Sequence, residues 1–348
     1  MEREYYYVVT SYTAAWQYTL VACILLTILV QRRFNVSRLV SYVVSPNNFI
    51  ALGVLFGVSM AGFALGSSLG LEVNLKTILA TGLIAVMLAD RINPAVYLWL
   101  FRLMVVALMI DYVIAYAGLA NIHLARYAIR PFGLFLDVHL SGLFFCVALF
   151  AFGHRFLAIA MAAVMGSGQT LIVIIYLFFA AKITIRRIPI LVLICVITYF
   201  FLEEIGHLSV DPDSMSLVNV YIQSFTPESF QALHPACFLV GCSSNILDSP
   251  LSYDLLADIG LLRVAYQYGI VWVIVFLYLL RKYDFKYVLA HLISLLHYPV
   301  AFGVLGLIVM ILNLKYIESL KSKVAPSKRV IVRAKDLKGP DGRMEHVG

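Results

Sequence analysis

Four arginines of this 348-residue chain stand apart from its other basic residues: Arg102 inside an apolar run, Arg126 and Arg130 just beyond it, and Arg263 at the head of another. Arg126 and Arg130 are four positions apart, so on a helix they share a face. Two guanidiniums on one face suit a diphosphate, because each grips phosphate oxygens with a two-pronged fork. Two solvated loop arginines are the bland reading of the same spacing. Arg102 lies nine residues from Asp111 on the same run, too far for a one-turn pair, so each is expected to be neutralised from another helix. From Glu203 to Arg263 the chain carries eight acidic residues and no Lys or Arg before Arg263 itself. That stretch has neither a CxxC nor a paired His, so no metal site is read in it.

The elements that must position these groups are read from composition. With 62% hydrophobic and 13% charged residues and a mean hydropathy of +0.92, the chain is expected to be all-α, a polytopic transmembrane helical bundle. The start, Met-Glu-Arg-Glu followed by Tyr5, Tyr6 and Tyr7, lacks a cleavable-signal pattern, and the first apolar run is expected to stay as an anchor. The net charge of +7 could suggest nucleic acid. Nine of the 26 basic residues fall after Asn313, however, and a membrane-surface tail is the plainer reading.

Spans are expected near 14–30, 48–70, 75–89, 94–117, 138–152, 188–203 and 259–280. The run 156–181 has His154 and Arg155 at one end and Lys182, Arg186 and Arg187 at the other, which requires it to go in and return; Gly166-Ser167-Gly168 is the natural reversal. The same logic puts a turn near Tyr298-Pro299 in the run 287–316. Arg32, Arg33, Arg38, Arg91, Arg155, Lys182, Arg186, Arg187, Arg281, Lys282 and Lys286 then all face the cytoplasm, for about eleven spans, some short or broken. Residues 1–320 form one membrane domain with a large periplasmic loop over 203–258, and 321–348 a basic cytoplasmic tail expected to be disordered. Cys23, Cys146 and Cys195 fall in apolar runs as small core residues. Cys237 and Cys242 lie in the outer loop, where an oxidising compartment would let them pair; two free thiols is the other reading. Tyr266, Tyr268 and Trp272, at the outer end of their run, are read as an interfacial aromatic belt.

After Arg130 comes Pro-Phe-Gly133-Leu-Phe135-Leu-Asp137-Val-His139-Leu-Ser-Gly142, leading into an apolar run. This stretch resembles the bacterial O-antigen polymerase and O-antigen ligase superfamily, in which an Arg, a Gly and Phe and a polar pair stand at the mouth of a helix. Met165-Gly166-Ser167-Gly168-Gln169-Thr170 resembles that family's Gly-Ser-Arg-Thr turn, with Gln169 where Arg is common. Phe238-Leu-Val-Gly241, Asp258-Ile-Gly260 and Tyr268-Gly269-Ile270 resemble its loop-closing segment. Together the motifs cover roughly 120–315 in the family's order. The large loop holds no arginine, where many relatives use one.

The resemblance implies a glycan polymerase of the bacterial inner membrane. Its substrate would be a polyprenyl-diphosphate-linked oligosaccharide, in O-antigen, capsule or exopolysaccharide synthesis, and it would work within the membrane lipid alongside a chain-length regulator and a flippase. Such a donor carries its own leaving group, so neither cofactor nor metal is implied. Arg126, Arg130, Arg263 and Gln169 are the candidates for binding the diphosphate. Asp258, His139 and His234 are the candidates for orienting or deprotonating the attacking hydroxyl, with Glu203 also weighed. A carboxylate beside arginines stays ionised and orients better than it deprotonates; His has the better pKa for proton transfer. The Asp258-Ile-Gly260 closure, in place of a His-Asn pair, tilts the reading to polymerase over ligase. A transporter would carry internal repeats, which are not seen, and a polyprenyl-monophosphate transferase would place its acidic pair early, whereas Glu203-Glu204 comes late.

Overall fold

Apolar runs of this length fold as helices because a chain in hydrocarbon must satisfy its amides and carbonyls within itself. The computed structural model describes residues 15–28, 30, 36–71, 75–89, 94–117, 124–125, 128–129, 131–165, 167–180, 234–242, 260–296 and 302–336, with backbone alone at 115, 124–125, 128–129, 296 and 322–336. In chain order the described helices are α1 (Ala15–Ile28), α2 (Val36–Val44), α3 (Pro46–Ser68), α4 (Leu75–Ala89), α5 (Pro94–Tyr116), α6 (Val138–Ala151), α7 (Arg155–Val164) and α8 (Gly168–Ala180). They continue with α9 (Pro235–Val240), α10 (Gly260–Tyr268), α11 (Ile270–Leu280), α12 (Phe285–Ile293), a 3₁₀ turn Ser294–Leu296, and α13 (Val304–Asp336). The described residues are thus helical in their regular structure, apart from a small ladder between α5 and α6.

Pro46 and Pro94 open α3 and α5, where a missing N–H costs nothing. Each helix is 23 residues, about 34 Å against a hydrocarbon core of about 30 Å. Among the described residues, Pro46–Ser68 and Pro94–Ile114 are long and apolar enough to cross a membrane, and α10 with α11 makes a third if that pair is one span. Their outer faces carry Phe56, Met109 and Val113, each more than half exposed, a surface suited to lipid rather than water. Inside the bundle, every residue of α6 from Leu140 to Phe150 is buried, as is α13 from Leu305 to Leu314. The expected reversal near Gly166 is present: α7 and α8 are short helices packed on one another.

The expected span 259–280 needs correction, because α10 and α11 meet at Gly269 with a bend of 98°. The cause is a crossing of backbones. Gly241 (φ 75°) and Gly269 (φ 83°) adopt left-handed conformations that L side chains rarely take. A Cβ on Gly269 would stand 2.5 Å from the Leu239 carbonyl oxygen, and one on Gly241 2.5 Å from that of Gln267. Both lie against α3, where a Cβ on Gly62 would come within 1.9 Å of the Gly241 oxygen and one on Gly66 within 2.2 Å of the Cys242 oxygen. A Cys237–Cys242 disulfide closes the same turn, and the Cys242 amide donates to the Tyr266 carbonyl at 3.1 Å.

Three further expectations change. Tyr266, Tyr268 and Trp272 are buried core residues rather than an interfacial belt: the Tyr268 hydroxyl donates to the Phe302 carbonyl, and Trp272 Nε1 donates to Thr81 Oγ1 at 3.1 Å. The backbone flanking Arg126 forms a ladder, Leu124–Ala125 pairing antiparallel with Ala128–Ile129, where a shared face of Arg126 and Arg130 had required a helix. Beyond Lys321, where a disordered tail was expected, the α13 backbone stays helical to Asp336. The run 188–203, most of the loop 203–258 and the turn at Tyr298-Pro299 lie outside the described residues.

Candidate functional site

The mouth of α6 is built by the turn 131–137. Asp137 caps the helix, its Oδ1 accepting from the Leu140 amide at 2.8 Å. Burial raises this carboxyl above the usual carboxylate range, against the lowering pull of the Leu140 and His139 amides. Two other helices and α6 itself pin the turn. Asp111 Oδ2 on α5 accepts from the Gly133 amide at 2.6 Å, Ser141 Oγ on α6 donates to the Phe132 carbonyl at 2.6 Å, and Trp16 Nε1 on α1 donates to the Leu134 carbonyl at 2.8 Å. Asp111 is therefore engaged by backbone, while Arg102 is exposed on α5.

Within that frame His139 sits half-buried in the first turn of α6, its Nδ1 3.2 Å from Ser167 Oγ. Ser167 precedes α8 and is also approached by Thr170, from its hydroxyl at 3.0 Å and its amide at 3.3 Å. The two helices approach closely because residue 142 is glycine: a Cβ there would stand 2.8 Å from Thr170 Oγ1. His139 and Gly142 on α6, three apart, thus face Ser167 and Thr170 across the α8 start, also three apart. The joint unites an imidazole with two hydroxyls, next to the buried polar side chains of Ser141 and Gln169.

A second polar chain continues from it. Gln169 is buried and its amide nitrogen donates to the Ser294 carbonyl in the 3₁₀ turn. Ser294 Oγ donates to the His291 carbonyl at 2.6 Å; His291 Nε2 lies 3.2 Å from Asn313 Nδ2, and Asn313 Oδ1 accepts from the Tyr97 hydroxyl at 2.6 Å. These bonds tie α5, α8, α12 and α13 together in the interior, where each unsatisfied polar group would be costly.

The structure therefore brings His139 together with Ser167 and Thr170, and gives Gln169 a bond inside the fold. Arg263 is half-buried on α10, which packs on the same 3₁₀ turn that α8 touches. His234 is exposed at the start of α9, with no capping bond from its side chain. Arg126, Arg130, Asp258 and Glu203 lie outside the described residues. Among the described residues no three His, Cys, Asp or Glu side chains converge in a way that could hold a metal ion. Sequence reasoning missed the Tyr97–Asn313–His291 chain, whose signal was lone polar residues inside apolar runs. It also missed the matched three-residue spacings of the joint. No family model, no curated protein and no solved structure matches the chain.

Proposed function

We propose that the chain is a membrane-embedded glycan polymerase working at the outer face of a bacterial inner membrane, with about eleven crossings and a large periplasmic loop over 203–258. A sugar hydroxyl of one carrier-linked unit attacks the anomeric carbon of a glycan on polyprenyl diphosphate. The new glycosidic C–O bond forms as the C–O bond to the diphosphate breaks, polyprenyl diphosphate leaves, and the hydroxyl proton passes to a base. In this scheme His139 takes the proton, Asp258 orients the acceptor, and Arg126, Arg130 and Arg263 hold the departing diphosphate. Gln169 positions α8.

The observation that carries the reading is the His139–Ser167–Thr170 joint. An ionisable side chain inside an apolar bundle is costly to keep and marks function. Both motifs that meet there are ones on which the resemblance rests. The sidedness draws on the Cys237–Cys242 disulfide, a bond of oxidising compartments, packed at the Gly269 end of α11, while Arg281 and Lys282 follow its other end.

The test is to reconstitute the purified protein in liposomes with a polyprenyl-diphosphate repeat unit and resolve the products by size. A ladder of lengths supports polymerisation, with His139→Gln shortening or abolishing it in normally inserted protein. A single addition to an acceptor points instead to a ligase. A second reading, a transporter of lipid-linked glycan, draws on the α10–α11 break, since broken helices line many transport sites. Altered lipid sidedness without any new bond would select it.

A further inference from the structure

At the end of the bundle away from the disulfide, α2 is nine residues long, about 14 Å and far too short to cross a bilayer. Val36, Val40 and Val44, spaced one helical turn apart, are each more than half exposed, while Leu39, Tyr42 and Val43 are half-buried where α2 packs on α3 and α4. An apolar stripe on a short helix that also carries Ser37, Arg38 and Ser41 suits the boundary between headgroups and acyl chains. Asn48 Nδ2 donates to the Tyr42 carbonyl at 3.1 Å, fixing the corner between α2 and α3.

Two cations gather around Tyr42. The ammonium of Lys282 lies 5.4 Å from the Tyr42 ring centroid and 5.2 Å from that of Tyr283. The guanidinium of Arg281 stacks 3.6 Å over the Tyr278 ring and donates to the Tyr278 carbonyl at 3.1 Å, which holds its plane and leaves further N–H donors outward. Arg281 also acts electrostatically on the Tyr42 phenol. Burial pushes that phenol up to about 12, so it keeps its proton as a donor at neutral pH. The neighbouring carboxylate, Asp284, is engaged elsewhere, 2.6 Å from Lys321 and 3.6 Å from Lys286, while Glu318 acts on Tyr283. Among the described residues neither Arg281 nor Lys282 forms an ion pair. Burial lowers the Lys282 ammonium, a loss that a nearby anion would restore.

We propose that Tyr42, Arg281 and Lys282 form a seat for the phosphate of an anionic phospholipid, at the level of the bilayer boundary that the exposed Val36, Val40 and Val44 of the same short helix mark. Planar guanidinium, ammonium and phenol together supply the donors a phosphodiester accepts, and the valine stripe of α2 sets the seat at headgroup depth, where the phosphates at hand are those of lipids. The site is independent of the glycan reading.

The test uses the purified chain in detergent and native mass spectrometry, with phosphatidylglycerol and phosphatidylethanolamine at equal concentration. Phosphatidylglycerol should be retained several-fold better, and added salt should narrow that preference. Arg281→Gln with Lys282→Gln should cut its retention by about tenfold, Tyr42→Phe less, and Arg102→Gln, an exposed arginine on α5, not at all. Equal retention of the two lipids by the parent protein overturns the proposal without need of any variant. So does a double variant, folded by size-exclusion profile and intact disulfide, that retains phosphatidylglycerol fully. Displacement of the lipid by millimolar inorganic phosphate would overturn the assignment to lipid.

Discussion

The crossing of α3, α9 and the α10–α11 elbow turns on backbone contacts at glycines, whereas the α6–α8 joint is made of side chains. At the crossing, Gly62, Gly66, Gly241 and Gly269 let carbonyls approach where any Cβ would collide, and the disulfide closes the turn beside them. At the joint, one glycine clears room for Thr170, and the contact itself is His139, Ser167 and Thr170. The closest contacts of the first are carbonyl oxygens with no rotamers to adjust, so it resists change and holds a bend. The second can shift by tenths of an ångström, and it is the one that offers chemistry. In membranes small residues make the tight contacts and polar residues the specific ones, and here the two tasks fall to different regions.

The contrast can be broken most severely at Gly62. Gly62→Val should cost more than about 3 kcal/mol, seen as loss of a monodisperse peak on detergent size exclusion, because its Cβ would lie 1.9 Å from a carbonyl oxygen that has nowhere to go. Gly57→Ala on the same helix, with nothing within 4 Å, should be silent, and equal damage from the two would remove the special status of the crossing. Next comes the disulfide. Replacing Cys237 and Cys242 by Ser should lower stability by about 2 kcal/mol while leaving the helical far-ultraviolet signal intact, since a short closed loop gives a modest entropic gain.

At the joint, Gly142→Ala should cost about 1 to 2 kcal/mol and reduce product formation by about tenfold, as Thr170 Oγ1 is displaced from Ser167. Adding Thr170→Ala should recover the stability and not the activity; recovery of both would make the joint mere packing. Smallest is the effect of pH on Asp284. Burial raises its carboxyl, but the Lys321 hydrogen bond, with the Lys286 amide and charge, holds it below the ordinary 3.8. The contribution of this contact, below about 1 kcal/mol, should therefore be complete above about pH 5 and fade as pH falls through the depressed value. Lys321→Met should flatten that acid step in a thermal-melt series, and an unchanged step would exclude Asp284 as its source.

Much of the helix pattern was legible. The positions of α3, α4, α5 and α6 follow from length and apolarity, and the reversal between α7 and α8 from basic residues at both ends of one apolar run. The break at Gly269 was not, because a lone glycine in an apolar run is ordinarily carried by a continuous helix. The segment flanking Arg126 misled for a similar reason: four-residue spacing defines a face only where the backbone is already helical, and its described residues pair as a ladder instead. Tyr266, Tyr268 and Trp272 have the composition of a belt, and only their burial shows that they belong to the core. Of the candidate site, the His139 and Gly166-Ser167-Gly168 motifs were visible separately, while nothing in either one named the other.

By itself the sequence determined that this chain forms helices, some long and apolar enough to cross a membrane, because in hydrocarbon the backbone has few forms but the helix. Only the tertiary structure decided which glycines become contacts and which polar residues become neighbours. Gly57 and Gly62 sit in similar local sequence, yet one faces open space and the other a carbonyl oxygen. His139 and Ser167 are 28 residues apart and meet because α6 and α8 pack at the place where Gly142 leaves room. Local pattern specifies the helices; close packing between them, which depends on every partner at once, specifies the site.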